Sequence, residues 1–192
     1  FKIKMKKIVI VDYGTGNILS LTRALNHIGI KPVISNSKNT IFKATHLILP
    51  GVGAFGSGME LLKFYDLPRT INEYAKSNRP ILGICLGMQL LFERSNEFGT
   101  HNGLGLIEGE VKKISIPKVN VPIIGWYKID TKNKNILTSQ RKKHMYFVHS
   151  YQALPKHKEV IKATYKIYNK SIVAGVNKNL SLIHISEPTR RI

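Results

Sequence analysis

The chain has 192 residues, 43% hydrophobic and 21% charged; this is ordinary globular usage and excludes a disordered chain. Thirty Lys and Arg against eleven Asp and Glu give a formal charge of +19, but the lysines are spread along the chain, so charge by itself does not make a nucleic-acid binder. One cysteine, Cys85, excludes an internal disulfide framework and a cysteine-rich zinc site, and no apolar run reaches the roughly 18–20 residues of a membrane helix.

The start, Phe1 to Lys7, carries charge without the apolar core of a signal peptide, so the chain is expected in the cytoplasm. Residues 1–4 read as a non-native leader before Met5. Lys7-Ile8-Val9-Ile10-Val11-Asp12 is a buried-strand pattern, broken by Tyr13-Gly14-Thr15-Gly16-Asn17. Asn17 can cap a helix carrying Ile18, Leu21, Leu25 and Ile28, with Gly29 at its C-terminal cap. Further strands are expected at 32–35, 46–49 and 80–84, with a helix over about 67–76. Strands and helices in alternation predict an α/β domain: an open, mostly parallel sheet flanked by helices. Beyond Gly109 the pattern changes to short strands with polar turns, at 111–116, 121–129, 144–149 and 160–168. This predicts an antiparallel extension of the same domain, over residues 5–180. The densest basic cluster is Arg141-Lys142-Lys143-His144, with Lys132 and Lys134 upstream; it reads as a solvated face, with phosphate binding as the alternative. Ser181 to Ile192 offers no final helix or strand and reads as a foreign tail.

Gly14-x-Gly16 follows a strand, but the third position of a dinucleotide fingerprint falls on Leu19, and no clear acidic residue follows about 20 positions on. The stronger signal is Gly83-Ile84-Cys85-Leu86-Gly87-Met88-Gln89. It follows an apolar strand and opens an expected amphipathic helix with Leu90, Leu91 and Phe92, the setting of a nucleophile elbow with Cys in place of Ser. A thiol at a helix N-terminus is biased toward thiolate, and the Leu86 N–H is placed to meet an oxyanion. The glycine-rich loop Leu49-Pro50-Gly51-Val52-Gly53-Ala54-Phe55-Gly56 ends a predicted strand, where ligands bind in open α/β sheets.

These segments, with Val11 to Asn17, Tyr146-Phe147-Val148-His149-Ser150-Tyr151 and Val121-Pro122-x-x-Gly125-Trp126, resemble the class I glutamine amidotransferases. The last block and the loop resemble in particular the histidine-biosynthesis branch, the glutaminase subunits of imidazole glycerol phosphate synthases. The resemblance covers about Lys6 to Asn179. It implies that Cys85 attacks the side-chain amide of glutamine. Gly51, Val52, Gly53 and Leu86 would hold the oxyanion, and Gln89, His149, Ser150 and Tyr151 would contact the substrate. It implies ammonia delivery to a (β/α)8 cyclase subunit, with Trp126 near that partner. It implies no metal or organic cofactor, no nucleic acid and no membrane. A Cys85–His149 pair remains a second possibility from the residues themselves. The wider alternatives are an amidotransferase for another acceptor and a basic, non-catalytic scaffold.

Two departures stand out. The family pattern places His at 123 and Asn at 127; Ile123 and Tyr127 stand here and are expected to retune the partner surface. The family also completes a triad with a His-x-Glu pair near position 186, where Ser186 stands; His184 and Glu187 are one residue too far apart. The chain as written is therefore expected to be inactive or nearly so.

Overall fold

Short, continuous apolar runs with β-branched residues suit strands covered on both faces, and four of them form the parallel half of the sheet. The structure, a computed structural model, describes residues 6–131, 144–178 and 181–183. β1 (Ile8–Val11) pairs in parallel with β2 (Val33–Ser35) on one side and β3 (His46–Leu49) on the other; β3 pairs in parallel with β4 (Ile81–Gly83). The chain thus leaves β1 in one direction and later returns on its other side. Ligands bind where strand order reverses like this, beyond the carboxyl ends of β1 and β3.

Four helices lie between these strands. In α1 (Ile18–His27) the Asn17 side chain accepts from the Ser20 N–H at 3.1 Å, and Gly29 follows with φ 78°. α2 (Lys38–Phe42) precedes β3. α3 (Phe55–Phe64) follows the glycine-rich loop, and α4 (Pro68–Lys76) leads to β4 with Pro at its first turn. After β4 a single turn of helix, α5 (Leu86–Gln89), carries the chain into β5 (Phe92–Ser95). The longer amphipathic helix expected here does not form. Leu90, Leu91 and Phe92 are all fully buried or nearly so, and an apolar run covered on every side does not define a helix face.

The remaining strands are β6 (His101–Asn102), β7 (Ile107–Lys113), β8 (Ile123–Thr131), β9 (His144–His149), β10 (Tyr151–Pro155), β11 (Ile161–Ile167), β12 (Lys170–Lys178) and β13 (Ser181–Ile183). Of these, β13, β12, β11, β8 and β9 extend the parallel strands, largely antiparallel, into a nine-stranded sheet ordered β2-β1-β3-β4-β13-β12-β11-β8-β9. A separate four-stranded sheet, β10-β7-β5-β6, was not foreseen. β13 corrects the expectation that residues 181–192 supply no strand: it runs parallel to β4 and antiparallel to β12, joining the two halves of the large sheet. Two apolar cores result. One lies around the parallel strands, α2–α4 and the small sheet; the other lies on β8, β9, β11 and β12, centred on Phe147 and Tyr165. The basic cluster at 132–143, His184 and Glu187 lie outside the described residues. Among the described residues, no helix is long and apolar enough to cross a membrane.

Candidate active site

Cys85 sits on the turn between β4 and α5 with φ 55° and ψ −116°. A side chain in that region of backbone space is strained, and such strain is stored at nucleophile elbows. The turn is held by close approach. Ile84 N–H donates to the Leu49 carbonyl at 2.9 Å, and a β-carbon on Gly87 would collide with that same carbonyl. Only glycine lets α5 start this near to β3.

The glycine-rich loop lies against this turn. A β-carbon on Gly51 would overlap the Tyr13 hydroxyl and stand 3.1 Å from the Gly87 nitrogen and the Leu86 β-carbon. The buried Tyr13 hydroxyl donates to the Pro50 carbonyl at 2.6 Å. Burial pushes the Tyr13 phenol well above its ordinary range, and the negative charge of Cys85 adds to the shift. Tyr13 is thus a site residue to which the sequence assigned no role. Gly14 and Gly16, both at positive φ, make the turn that packs on Pro50 rather than a nucleotide cradle.

Both main-chain groups of Val52 are engaged by one side chain: Thr15 Oγ1 donates to the Val52 carbonyl at 2.7 Å and accepts from the Val52 N–H at 3.4 Å. In this conformation the Val52 N–H is turned toward Thr15. Val52 and Gly53 are exposed.

A cavity of about 30 Å³ opens beside Cys85, lined by Met88, Gln89, Phe147, His149, Tyr151 and neighbours from β10 and β12. It sits on the seam between the two apolar cores and has room for one or two waters. The sequence-predicted residues Cys85, Gln89, His149 and Tyr151 therefore meet around one space. Ser150 is not in its lining; its carbonyl accepts from the Ile114 N–H at 2.8 Å. The elements bring Gly51 and Leu86 together at the Cys85 turn, away from the cavity lining.

His149 decides the Cys85–His149 question. Its Nδ1 is 2.7 Å from the Tyr151 carbonyl and its Nε2 is 2.7 Å from the Tyr165 hydroxyl. A carbonyl only accepts, so Nδ1 carries the proton and Nε2 accepts from Tyr165. Both nitrogens are committed, which removes His149 as a base for the thiol. Burial also holds its pKa below the ordinary histidine value, with the Tyr151 hydrogen bond partly opposing.

The two departures face inward. On β8, Ile123 is buried and Tyr127 packs on Tyr165 (4.9 Å between centroids) and Phe147 (6.2 Å). They alter the second core, not the outer surface, which corrects the expectation that they retune a partner face. The outward residues of the same ribbon are Ile124, Trp126 and Val148, all about half exposed, with Trp126 edge-on to Tyr146 at 5.7 Å. Among the described residues, no group of three or more His, Cys, Asp or Glu side chains converges to hold a metal ion.

Comparison with known proteins agrees with this geometry. A family profile described as glutamine amidotransferase class-I matches residues 9–184. The chain is 47% identical over 152 residues to the imidazole glycerol phosphate synthase subunit HisH of Sulfurimonas denitrificans, covering 77% of this chain and 73% of that protein. It is 43% identical over 148 residues to the subunit of the same name in Bacillus cereus, covering 76% and 70%. Among solved structures, a glutamine amidotransferase superposes with a TM-score of 0.72 at 16% identity, covering 92% of this chain and 87% of that one. PurLQS from Thermotoga maritima gives 0.69 at 19%, covering 96% and 88%. At such identities these structures speak to the fold.

Proposed function

The chain belongs to the class I glutamine amidotransferases, with HisH subunits of imidazole glycerol phosphate synthase among its relatives, and from that premise we propose that it is the glutaminase subunit of such a synthase, cytoplasmic and serving histidine biosynthesis. The observation that carries the reading is Cys85, strained at the head of α5, opening on a cavity walled by Gln89, His149 and Tyr151.

In this reading Cys85 Sγ attacks the side-chain carbonyl carbon of glutamine. The C–N bond breaks, ammonia leaves with the proton it needs from the thiol, and a glutamyl thioester remains. Water then cleaves the thioester, glutamate leaves and the thiol is restored. The N–H groups of Leu86 and of the Gly51-Val52-Gly53 loop stabilise the oxyanion of each tetrahedral species. That role requires the Val52 peptide to turn from Thr15, and glutamine needs more room than the cavity offers here. Docking of a (β/α)8 cyclase subunit on the face of Ile124, Trp126 and Val148 is the event that couples both changes to ammonia use. Near position 186, where the family places its His-x-Glu pair, this sequence has Ser186, so turnover by the chain as given is expected to be slow, since triad losses cost orders of magnitude.

The test separates the nucleophile from turnover. An electrophilic glutamine analogue is expected to label wild type at Cys85, with glutamine protecting, and to leave Cys85→Ala unlabelled. Labelling that glutamine does not slow would overturn the reading.

A further inference from the structure

Tyr165 stands on β11, within a strand the sequence predicted but outside its site motifs, and it is fully buried. Its ring stacks on Phe147, with centroids 4.2 Å apart and planes at 28°. Phenylalanine would serve that packing equally well. The hydroxyl is the part that needs a reason, because a buried hydroxyl without a partner is costly. Its partner is His149 Nε2 at 2.7 Å.

From there the hydrogen bonds converge from two sides on one acceptor, the Tyr151 carbonyl. Tyr165 donates to His149 Nε2, His149 Nδ1–H donates to the Tyr151 carbonyl, and the same carbonyl accepts from Gln89 Nε2 at 3.2 Å. The path begins on β11, crosses β9 and β10, and ends on α5, on the turn that Cys85 heads. Because the Tyr151 carbonyl can only accept, it takes the nitrogen end of the Gln89 amide. The oxygen, Oε1, is what Gln89 keeps for a ligand, and an acceptor suits the α-ammonium of an amino acid.

We propose that Tyr165 is a positioning residue for the glutamine site: its hydroxyl fixes the neutral Nδ1–H form of His149, which anchors the Tyr151 carbonyl and so sets the amide of Gln89. Tyr165 touches no reacting atom; it acts through two intermediates. The inference rests on the glutaminase reading above.

The experiment uses the full chain and the variants Tyr165→Phe and Tyr127→Phe, the latter removing a hydroxyl one ring away in the same cluster. The imidazole nitrogens of His149 are observed by long-range proton–nitrogen NMR, and glutamine affinity by calorimetry with a (β/α)8 cyclase subunit bound. In wild type, His149 shows a single neutral tautomer, protonated at Nδ1. In Tyr165→Phe the Nε2 resonance moves toward that of an unbonded imidazole nitrogen, and glutamine Kd rises about five- to tenfold, the scale of one buried hydrogen bond. Tyr127→Phe changes neither. A wild-type His149 protonated at Nε2 overturns the proposal without any variant. Glutamine binding by wild type, with Tyr165→Phe matching it in resonance and affinity, overturns the positioning role and leaves the glutaminase reading standing. A wild type with the expected His149 signature and no glutamine binding overturns the glutaminase reading and leaves the hydrogen-bonded path intact.

Discussion

A hydroxyl can donate and accept at once, and Thr15 does both to the main chain of one residue, Val52. Replacing Thr15 by Val keeps the shape and removes both hydrogen bonds. At about 1 kcal/mol for each bond, the Val52 peptide is then freer to present its N–H to an oxyanion. Thr15→Val is expected to label at Cys85 at least about fivefold faster than wild type in the absence of a cyclase, a shift of about 1 kcal/mol. Unchanged labelling would remove Thr15 from the account. His149 supplies a pH dependence. Its folded pKa lies below the unfolded value of about 6.5, so the stability it contributes is present above pH ~6.5 and is lost as pH falls from there toward the folded value. In that window the unfolded chain takes up a proton that the folded chain does not. Thermal unfolding of wild type is expected to weaken below about pH 6.5 more steeply than that of His149→Gln; parallel curves would place the sensitivity elsewhere.

At the scale of elements, α3 shows why part of the fold was illegible. Its first turn is Phe55-Gly56-Ser57-Gly58, poor in helix formers, and its N-cap is Ala54, which has no side-chain oxygen. The missing acceptor comes from Glu97, whose Oε2 takes the Phe55 N–H at 2.7 Å from 42 residues away. A local pattern cannot reveal a cap supplied by another element. Glu97→Ala is expected to cost about 1 kcal/mol, read as a lower urea midpoint with unchanged slope. By contrast β1, β3, β4, α1 and α4 were legible, because each carries its own periodicity and stop signals. The site divides in the same way. Cys85, Gly51 and Gln89 lie on compact motifs, whereas Tyr13 and Tyr165 reach the site by tertiary packing. Gly87→Ala tests the elbow: the added methyl meets the Leu49 carbonyl, so the turn must shift, at about 1–3 kcal/mol and with loss of Cys85 labelling.

At the scale of the whole molecule, two cores meet along β12, and the cavity lies on their seam. Val173 and Ala174, adjacent on β12, belong to different cores and both line the cavity. The β8–β9 ribbon packs into the second core, and α5, which Cys85 heads, into the first. Ile124→Asp is expected to weaken capture of a (β/α)8 cyclase more than tenfold while leaving the melting temperature nearly unchanged, since Ile124 is 57% exposed. The sequence contains a single tryptophan, and it stands on this ribbon, 58% exposed and edge-on to Tyr146. The molecule thus carries a built-in optical probe: its indole emission has one source, and covering Trp126 shifts that emission to shorter wavelength, so docking can be followed in an unlabelled chain.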